Sequence, residues 1–159
     1  MLAIKVDLAK CDGCGRCTVA CEMGGALSKE RQGAGMRRPL LWIIESAEKC
    51  WIDICRHCEA PVCADACVAG AISPDHESGT VQVAAEKCIG CWSCVMECPF
   101  KALRLVDGRA VKCDGCRALD APLCARFCPT GALKAAFDSR GIALRRRRER
   151  AAILGRAGT

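Results

Sequence analysis

Short stretches in which apolar and polar residues alternate predict β-hairpins in this chain. Leu103–Val106 and Arg109–Lys112 alternate on either side of Asp107-Gly108, and Asp-Gly is a residue pair that favours a two-residue hairpin turn. Ala71 to Ser73 and Thr80 to Val83 bracket a longer turn and predict a second hairpin. The pattern therefore indicates small strands joined by turns.

Two further stretches predict strands, and one predicts an insertion. Lys5 to Ala9 leads into the first cysteines as a strand, and Leu40 to Ile44, after Pro39, predicts another. Gly24 to Arg38 is rich in Gly, Lys, Arg and Ser with little apolar periodicity, so we interpret 24–38 as an exposed insertion. Its length is compatible with a docking segment as well as with a flexible linker.

The chain has few large apolar residues with which to fill a core. Of its 159 residues 52% are hydrophobic, but that share includes 17 cysteines, and only three Trp, three Phe and no Tyr are present. Small domains that bury little apolar surface rely on disulfides or metals for stability. The length allows one compact domain or two very small ones, with little room for a catalytic domain beyond cysteine-bound cofactors.

The N-terminal sequence favours metal binding over disulfide formation. Met1 to Asp7 lacks the basic segment and the following apolar segment of an export signal. In the reducing cytoplasm a thiol-rich chain binds metals or clusters more readily than it forms disulfides. The apolar run from Leu40 to Ile44 is far shorter than the ~20 residues of a membrane span. We predict a soluble cytoplasmic protein, although a carrier exported on a partner's twin-arginine signal would have the same features.

Sixteen of the cysteines fall into four groups with related spacing. Groups one and three share C-x2-C-x2-C-x3-C, whereas groups two and four are looser, with C-x2-C-x4-C-x3-C and C-x2-C-x7-C-x3-C. In chain order the groups are Cys11, Cys14, Cys17 and Cys21; Cys55, Cys58, Cys63 and Cys67; Cys88, Cys91, Cys94 and Cys98; and Cys113, Cys116, Cys124 and Cys128.

The residues around the cysteines repeat as well, which indicates duplication rather than chance clustering. Groups one, three and four open with K-C-x-G-C, beginning at Lys10, Lys87 and Lys112. The glycine lets backbone N–H groups approach sulfur closely, although a turn glycine would explain any single occurrence. Similar residues follow the fourth cysteine of groups two, three and four, and we interpret them as short helical turns that lead into strands.

The spacing is typical of [4Fe–4S] clusters. Three cysteines in one loop can bind three irons of a cubane, and in the bacterial C-x2-C-x2-C-x3-C-P pattern the fourth cysteine binds the other cluster of a pair. Zinc is the main alternative, but zinc knuckles use two separated C-x2-C pairs per ion. Here each group continues to a third and fourth cysteine, and Pro99 and Pro129 follow groups three and four. We therefore predict four [4Fe–4S] clusters whose fourth ligands are exchanged between paired groups.

Four clusters would change the charge of the chain. The formal net charge is +6. Each oxidised cubane with four thiolates carries about −2, so four of them bring the holo-protein to roughly −2. The remaining asymmetry is the basic tail, 138–159, which contains Arg145 to Arg148. The tail fits a solvated chain end or a segment that docks on an acidic partner, and it fits nucleic-acid binding least.

In the order of its groups, in the stretch from Cys55 to Cys63 and in the steps Cys98-Pro99 and Cys128-Pro129, the chain resembles the iron–sulfur subunits of molybdenum and tungsten oxidoreductases. The resemblance covers about residues 1–137, and the small iron–sulfur subunit of a bacterial tungsten aldehyde oxidoreductase is the nearest member. It implies an α+β fold of duplicated bacterial-ferredoxin-like modules with short hairpins, short helices and cluster-binding loops. The chain departs from larger members in lacking a membrane-facing C-terminal extension, in the short spacer of group four and in Val68, where a proline often follows group two.

The resemblance also implies which cysteines share a cluster. Group one pairs with group four, and group two with group three, so that residues 1–137 contain two intertwined double-cluster modules (11–21 with 113–128, and 55–67 with 88–98). The implied ligands are Cys11, Cys14, Cys17 and Cys128 at site 1; Cys21, Cys113, Cys116 and Cys124 at site 2; Cys55, Cys58, Cys63 and Cys98 at site 3; and Cys67, Cys88, Cys91 and Cys94 at site 4.

Four other residues near the groups have predicted roles. Cys50 lies outside every group and is predicted to be a free, partly buried thiol. His57 lies between two ligands of a group that already has four cysteines, so we predict that it lies beside the cluster or at the surface rather than binding iron. Trp51 and Trp92 are predicted to shield cubanes from water, which helps to set their potentials.

These features predict an electron-transfer subunit rather than an enzyme. No nucleotide-binding fingerprint and no nucleophile with a base are visible in the sequence, and the predicted clusters have full sets of ligands. The resemblance implies a tungsten or molybdenum catalytic partner and an acceptor subunit or carrier. A partner of the carbon monoxide dehydrogenase, formate dehydrogenase or hydrogenase type would leave a similar pattern. An iron–sulfur redox sensor is the alternative of another functional class, although no helix-turn-helix pattern is visible. Self-association is a separate possibility, because a head-to-tail contact between copies would extend the line of clusters into a filament.

Overall fold

The computed structural model describes residues 2–27, 38–45, 50–117, 119 and 121–137. Within these residues, short strands alternate with short helices in an α+β arrangement. Residues 28–37 of the predicted insertion and the predicted tail, 138–159, lie outside them. The strands are β1 (Leu2–Val6), β2 (Leu41–Glu45), β3 (Cys50–Ile54), β4 (Ile72–Asp75), β5 (Thr80–Val83), β6 (Leu103–Val106), β7 (Arg109–Lys112) and β8 (Leu133–Phe137); the helices are α1 (Arg16–Leu27), α2 (Val62–Asp65), α3 (Ser93–Glu97) and α4 (Leu123–Arg126); and Leu8–Lys10 and Ala85–Lys87 are 3-10 turns.

The strands form four separate two-stranded antiparallel sheets. β1 pairs with β8 and so joins the first and last described strands, while β2–β3, β4–β5 and β6–β7 pair strands that follow each other along the chain. An isolated pair of strands is marginally stable in water. The fold therefore depends on how these sheets pack against the loops that contain the cysteines.

The helices pack in the same pairs as the cysteine groups. α1, with the last two cysteines of group one, packs against α4, with Cys124 of group four. α2, with Cys63 of group two, packs against α3, with Cys94 of group three. This packing brings distant cysteine groups together.

The hairpin predicted around Asp107-Gly108 is confirmed. β6 and β7 pair from Leu103 with Lys112 to Val106 with Arg109. Asp107 and Gly108 have φ angles of 49° and 72°, as a type I′ turn requires. The second predicted hairpin also forms: β5 has the predicted bounds, and β4 continues beyond Ser73 to Asp75, whose carboxylate accepts the backbone N–H of Glu77 at 2.9 Å.

Two elements near the N-terminus differ from the sequence prediction by three residues or more. The first strand is Leu2–Val6 rather than Lys5 to Ala9, because Leu2 and Ile4 are the buried positions and the chain turns at Leu8–Lys10. α1 continues to Leu27, so the beginning of the predicted insertion is helical. Gly24 and Gly25 are buried in this helix, where their small size permits close packing.

The core consists of two main clusters in which cysteines and aliphatic side chains are mixed. The larger contains Leu2, Ile4, Ile54 and Leu133, packed with cysteines of groups one, two and four. The second contains Val81 and Leu103 with Cys63 and Cys94. Buried thiols thus supply much of the interior that an ordinary domain fills with larger apolar residues, as the composition suggested.

Candidate metal centres

Two cavities are lined by cysteines from different groups. The first is lined by Ile43 and Ile52 together with the thiols of site 1: Cys11, Cys14, Cys17 and Cys128. The second is lined by Trp92 and Leu105 together with the thiols of site 4: Cys67, Cys88, Cys91 and Cys94. In both cavities three thiols of one group meet the fourth cysteine of another.

The cysteines of site 3 are close enough for their charges to interact. Burial raises the pKa of the Cys63 thiol to about 11, and the thiolates of Cys55, Cys98 and Cys58 contribute to the rise. Burial also raises the pKa of Cys58, again with contributions from Cys55 and Cys98. Cys98 of group three therefore lies among the first three thiols of group two.

Site 2 is the most deeply buried. All of its cysteines are buried, with between 4% and 8% of their surface exposed: Cys21, Cys113, Cys116 and Cys124. Burial raises the pKa of Cys124 far above its ordinary value, and the thiolates of Cys116 and Cys21 add to this effect. Burial likewise raises the pKa of Cys113, with contributions from the thiolates of Cys124 and of Cys55 in site 3. Sites 2 and 3 are therefore neighbours.

Backbone N–H groups point at the fourth cysteine of every group. In groups two, three and four the donor follows four or five residues later: Ala71 to Cys67 at 3.2 Å, Ala102 to Cys98 at 3.5 Å and Leu133 to Cys128 at 3.4 Å. In group one the cysteine lies within α1, and Leu40 donates to Cys21 at 3.2 Å instead. Such hydrogen bonds stabilise a thiolate and tune the potential of a cluster bound to it.

The first cysteines of three groups also accept backbone N–H groups. His57 donates to Cys55 at 3.4 Å, Ala110 to Cys88 at 3.3 Å and Gly115 to Cys113 at 3.3 Å. Two of these donors lie two residues beyond the cysteine that they contact. Of the three glycines of C-x-G-C, Gly115 donates its N–H to sulfur as predicted, and His57 does so at the equivalent position of group two, whereas the donor to Cys88 in group three is Ala110.

That position has the left-handed backbone conformation that favours glycine. The φ angles of Gly13, Gly90 and Gly115 are 73°, 69° and 71°. A methyl group on Gly90 would lie only 2.4 Å from the carbonyl oxygen of Gly108. In group two the equivalent residue is His57, whose φ is 52°. His57 therefore replaces the repeated glycine in the same conformation.

The structure corrects the surface alternative predicted for His57. The side chain is only 1% exposed, and its Nδ1 accepts the backbone N–H of Val81 at 3.1 Å. Burial, together with the charge of Lys112, holds the pKa of His57 well below its ordinary value, so the ring is neutral with its proton on Nε2. A methyl group on Gly115 would lie 3.3 Å from Nε2, which places that N–H against the loop of group four.

The described residues fit [4Fe–4S] clusters by their chemistry. Thiols surround cavities, and backbone N–H groups are directed at their sulfur atoms. Across the described part of the chain, no three His, Cys, Asp or Glu side chains converge as the ligands of a single metal ion would. The buried Nε2 of His57 has no hydrogen-bond partner in the described structure, so it is a donor available to a group bound beside it.

The remaining residues singled out from the sequence have different outcomes. Trp92 lines the cavity of site 4, with its side chain 55% exposed. Trp51 is 52% exposed on β3, and the residue of β3 that lines the cavity of site 1 is its neighbour Ile52, on the opposite face of the strand, so the lining of that cavity gives no support to shielding by Trp51. Cys50 is a free, partly buried thiol, as predicted, and its Sγ lies 3.0 Å from where a methyl group on Gly13 would be.

Lys112 is a residue whose environment the sequence did not reveal. It shares the first position of K-C-x-G-C with Lys10 and Lys87, but those two are exposed and Lys112 is only 5% exposed. Its Nζ donates to the carbonyl oxygens of Val81 and Cys113, the latter at 2.8 Å. The strand alternation of β7 gave no signal, because a lysine at the end of a strand is ordinarily solvated.

One feature of the helices bears on the membrane. Among the helices in the described residues, none has the length and apolar character needed to cross a bilayer.

Comparison with known proteins gives two family matches that together include all four cysteine groups. Residues 47–137 match the model of a 4Fe-4S dicluster domain, and residues 3–27 match that of a 4Fe-4S binding domain. The boundary between the two matches lies between group one and group two.

Similar proteins carry the same kind of description. The chain is 35% identical over 153 residues to the electron transport protein HydN of Escherichia coli, covering 82% of this chain and 85% of that protein. It is 36% identical over 141 residues to the thiosulfate reductase electron transfer subunit PhsB of Salmonella typhi, covering 80% and 71%. It is also 37% identical over 134 residues to the NADH-dependent phenylglyoxylate dehydrogenase subunit beta of Aromatoleum evansii, covering 82% of this chain but only 29% of that subunit. The chain belongs to the 4Fe-4S dicluster family of ferredoxin-type electron-transport proteins.

Proposed function

We propose that this chain is a non-catalytic subunit that relays single electrons through four [4Fe–4S] clusters, between a catalytic subunit and an acceptor subunit or carrier. The proposal assigns the clusters to sites 1 to 4 with the ligands given above. The observation on which it chiefly rests is that three thiols of one group meet the fourth thiol of another group in the cavities of sites 1 and 4. Cubane clusters bound by exchanged fourth cysteines need this arrangement.

The order of the sites supports a linear relay. The cysteines of groups one and four form sites 1 and 2, and the cysteines of groups two and three form sites 3 and 4. Sites 2 and 3 are neighbours, because the thiolate of Cys55 contributes to the raised pKa of Cys113. Site 2 is buried, whereas sites 1 and 4 each include one exposed thiol, Cys14 and Cys91. Electrons would enter at one exposed end, cross the buried centre and leave at the other end.

Metal and sulfide analysis tests the number of clusters. Protein purified without oxygen should contain about sixteen irons and about sixteen acid-labile sulfides per chain, four of each per cluster. About eight irons would mean that only two sites are filled. Zinc in stoichiometric amounts would overturn the cluster assignment itself.

The catalytic partner is the finer part of the proposal. We propose a molybdenum or tungsten oxidoreductase subunit located with this chain in the cytoplasm, with an aldehyde oxidoreductase as the leading candidate. The electron transfer subunit of thiosulfate reductase supports a partner among substrate-converting oxidoreductases. Affinity purification of the tagged chain from its own cells, followed by metal analysis of the complex, tests this. Tungsten or molybdenum in the complex is the expected result, whereas nickel or the absence of any such metal would contradict it.

A further inference from the structure

A buried polar junction lies between sites 2 and 3. His57, Thr80 and Lys112 are the polar or charged residues that are buried in the described structure. Two of them contact the same residue of β5: His57 Nδ1 accepts the N–H of Val81, and Lys112 Nζ donates to the carbonyl oxygen of Val81. Val81 therefore connects the histidine of group two to the lysine of group four.

Each of these two residues is also directly connected to a cysteine loop. The backbone N–H of His57 donates to Cys55 of site 3 at 3.4 Å. Lys112 precedes Cys113 of site 2 and donates to its carbonyl oxygen at 2.8 Å. The junction is consequently in contact with both loops across which an electron would pass from one half of the relay to the other.

Among the described residues, Lys112 is a buried cation without a carboxylate partner. The ion pairs of this part of the chain, Lys10 with Asp7 and Arg104 with Asp53, do not include it. A buried ammonium group is costly unless an anion or several hydrogen bonds compensate for its lost hydration. Its two hydrogen bonds to carbonyl oxygens compensate in part. The anions that could complete the compensation are the thiolates of the neighbouring sites.

The contacts of Lys112 place its charge beside both sites. Its Nζ donates to the carbonyl oxygen of Cys113, a cysteine of site 2. Val81, which accepts its other hydrogen bond, packs in the same cluster as Cys63 of site 3. A reduced cluster has one more negative charge than an oxidised cluster, so the same charge favours the reduced form.

We propose that Lys112 is a positioning residue for electron transfer, which sets the potentials of the clusters at sites 2 and 3. Its buried ammonium holds both clusters at higher potentials than their buried loops alone would give. One shared charge then raises the potentials on both sides of the central electron-transfer step, from site 2 to site 3. This inference rests on the proposed assignment of clusters to sites 2 and 3.

The test compares Lys112→Gln with Lys87→Gln. Lys87 has the first position of the same motif in group three, but it is exposed and serves as the matched control. Iron content is measured first, followed by potentiometric titration of the reduced protein monitored by electron paramagnetic resonance. With iron unchanged, Lys112→Gln should shift the potentials of two clusters to more negative values and leave the others unmoved, whereas Lys87→Gln should shift none. Lys112→Arg, which keeps the charge, should restore potentials close to those of the unaltered protein.

The outcomes separate this inference from the cluster assignment. Fewer than about sixteen irons in the unaltered protein would overturn the four-cluster assignment, whatever the variants do. Full iron content with unchanged potentials in Lys112→Gln would overturn the role of Lys112 alone. If Lys112→Gln loses its clusters, Lys112→Met replaces it, since methionine fills similar space without charge. If both neutral variants lose clusters but Lys112→Arg keeps them, the result supports the role of the charge. If Lys112→Arg loses them as well, only the shape of lysine matters and the inference is overturned.

Discussion

Sites 2 and 4 use the same residue type in opposite environments. The four cysteines of site 2 are buried, and α1 covers them where Ala20 packs with Cys116 and Leu123. At site 4 only Cys94 is buried, Cys91 is exposed, and Ile89 and Trp92 expose more than half of their surface beside it. The helices beside the two sites also differ in length, since α1 has 12 residues and α3 has five.

The difference in burial has consequences for electron transfer. Burial disfavours the extra negative charge of a reduced cluster, so a deeply buried cluster has a lower potential unless nearby charges or N–H groups compensate. Lys112 and the N–H of Leu40 lie where such compensation is needed. At site 4 solvent can stabilise the negative charge of a reduced cluster, and a partner can approach the exposed Cys91 closely. In the proposed relay, the buried site would pass electrons within the chain and the open site would exchange them with another protein.

The largest expected effect separates ligands of the two sites. Cys124→Ser should greatly lower the yield of folded protein, because it loses a cluster and leaves a hydroxyl group in a position that is 4% exposed. Cys91→Ser should yield soluble protein with about one quarter less iron, since the hydroxyl group faces solvent. Soluble yield and iron per chain measure both. Similar yields for the two variants would show that burial does not distinguish these sites.

Glycine substitutions give the next largest effect, and they test how closely neighbouring residues pack against the cysteine loop of each site. Gly90→Ala adds a methyl group 2.4 Å from the carbonyl oxygen of Gly108, so the β6–β7 turn must move. Gly70→Ala has the same left-handed strain, with φ of 58°, but an added methyl group there meets nothing within 4 Å. The strain costs about 1 kcal/mol in both, and the steric overlap in Gly90→Ala costs about 1–3 kcal/mol more.

Anaerobic denaturant unfolding of the holo-proteins measures these costs. The midpoint of Gly90→Ala should lie clearly below that of Gly70→Ala. Gly115→Ala provides the comparison at site 2, where the methyl group would lie 2.6 Å from Cγ2 of Thr80 and 2.9 Å from Cδ2 of Leu2. It should also be less stable than Gly70→Ala. Equal midpoints in all three variants would mean that the loops move freely and that the close contacts are unimportant.

His57 allows a smaller test of the buried side. His57→Gly would restore the glycine of the repeat and relieve strain of about 1 kcal/mol. It would also leave the N–H of Val81 without its acceptor and create a cavity, which together cost about 2–4 kcal/mol. We expect a net loss of stability, with His57→Asn intermediate, because asparagine tolerates the left-handed conformation and keeps a side-chain oxygen. A gain in stability for His57→Gly would show that backbone strain outweighs the hydrogen bond.

The sequence predicted the turns and loops that form these sites better than how deeply their cysteines are buried. The hairpin at Asp107-Gly108 could be predicted because two residues determine a two-residue turn. The left-handed glycines of K-C-x-G-C were visible as a repeat, whereas the identical conformation of His57 was not, because histidine has no such preference. The burial of Lys112 could not be predicted either, since it depends on β5, which is distant in sequence and shares no motif with group four.

Helix length was the other property that the sequence did not reveal. Gly24 and Gly25 are poor helix formers, and their composition favoured a loop. They are helical because their small size lets α1 pack closely, with both residues buried, and this tertiary packing outweighs their low propensity. Ala20 of the same helix packs with Cys116 of site 2, so the depth of that site also depends on tertiary contacts that a single sequence does not display.

The smallest expected effect concerns the exposed tryptophans. Trp92 lines the cavity of site 4, so Trp92→Ala should open that site further and speed the loss of iron in air or with an iron chelator several-fold. Trp51, with nearly the same exposed fraction, lies on the face of β3 opposite Ile52, which lines site 1. Trp51→Ala should therefore release iron at the rate of the unaltered protein.

The kinetics of iron release identify the site as well as the rate. If the shallow site controls access, Trp92→Ala should accelerate only the first phase, of about four irons per chain, and leave the slower release from site 2 unchanged. Acceleration of all phases would mean that loss at site 4 unfolds the rest, which would contradict separate roles for the two sites. A faster first phase in Trp51→Ala would instead show that site 1 is the vulnerable end, because β3 lies beside that cavity. The two tryptophans thus show which end of the relay depends on a partner to cover it.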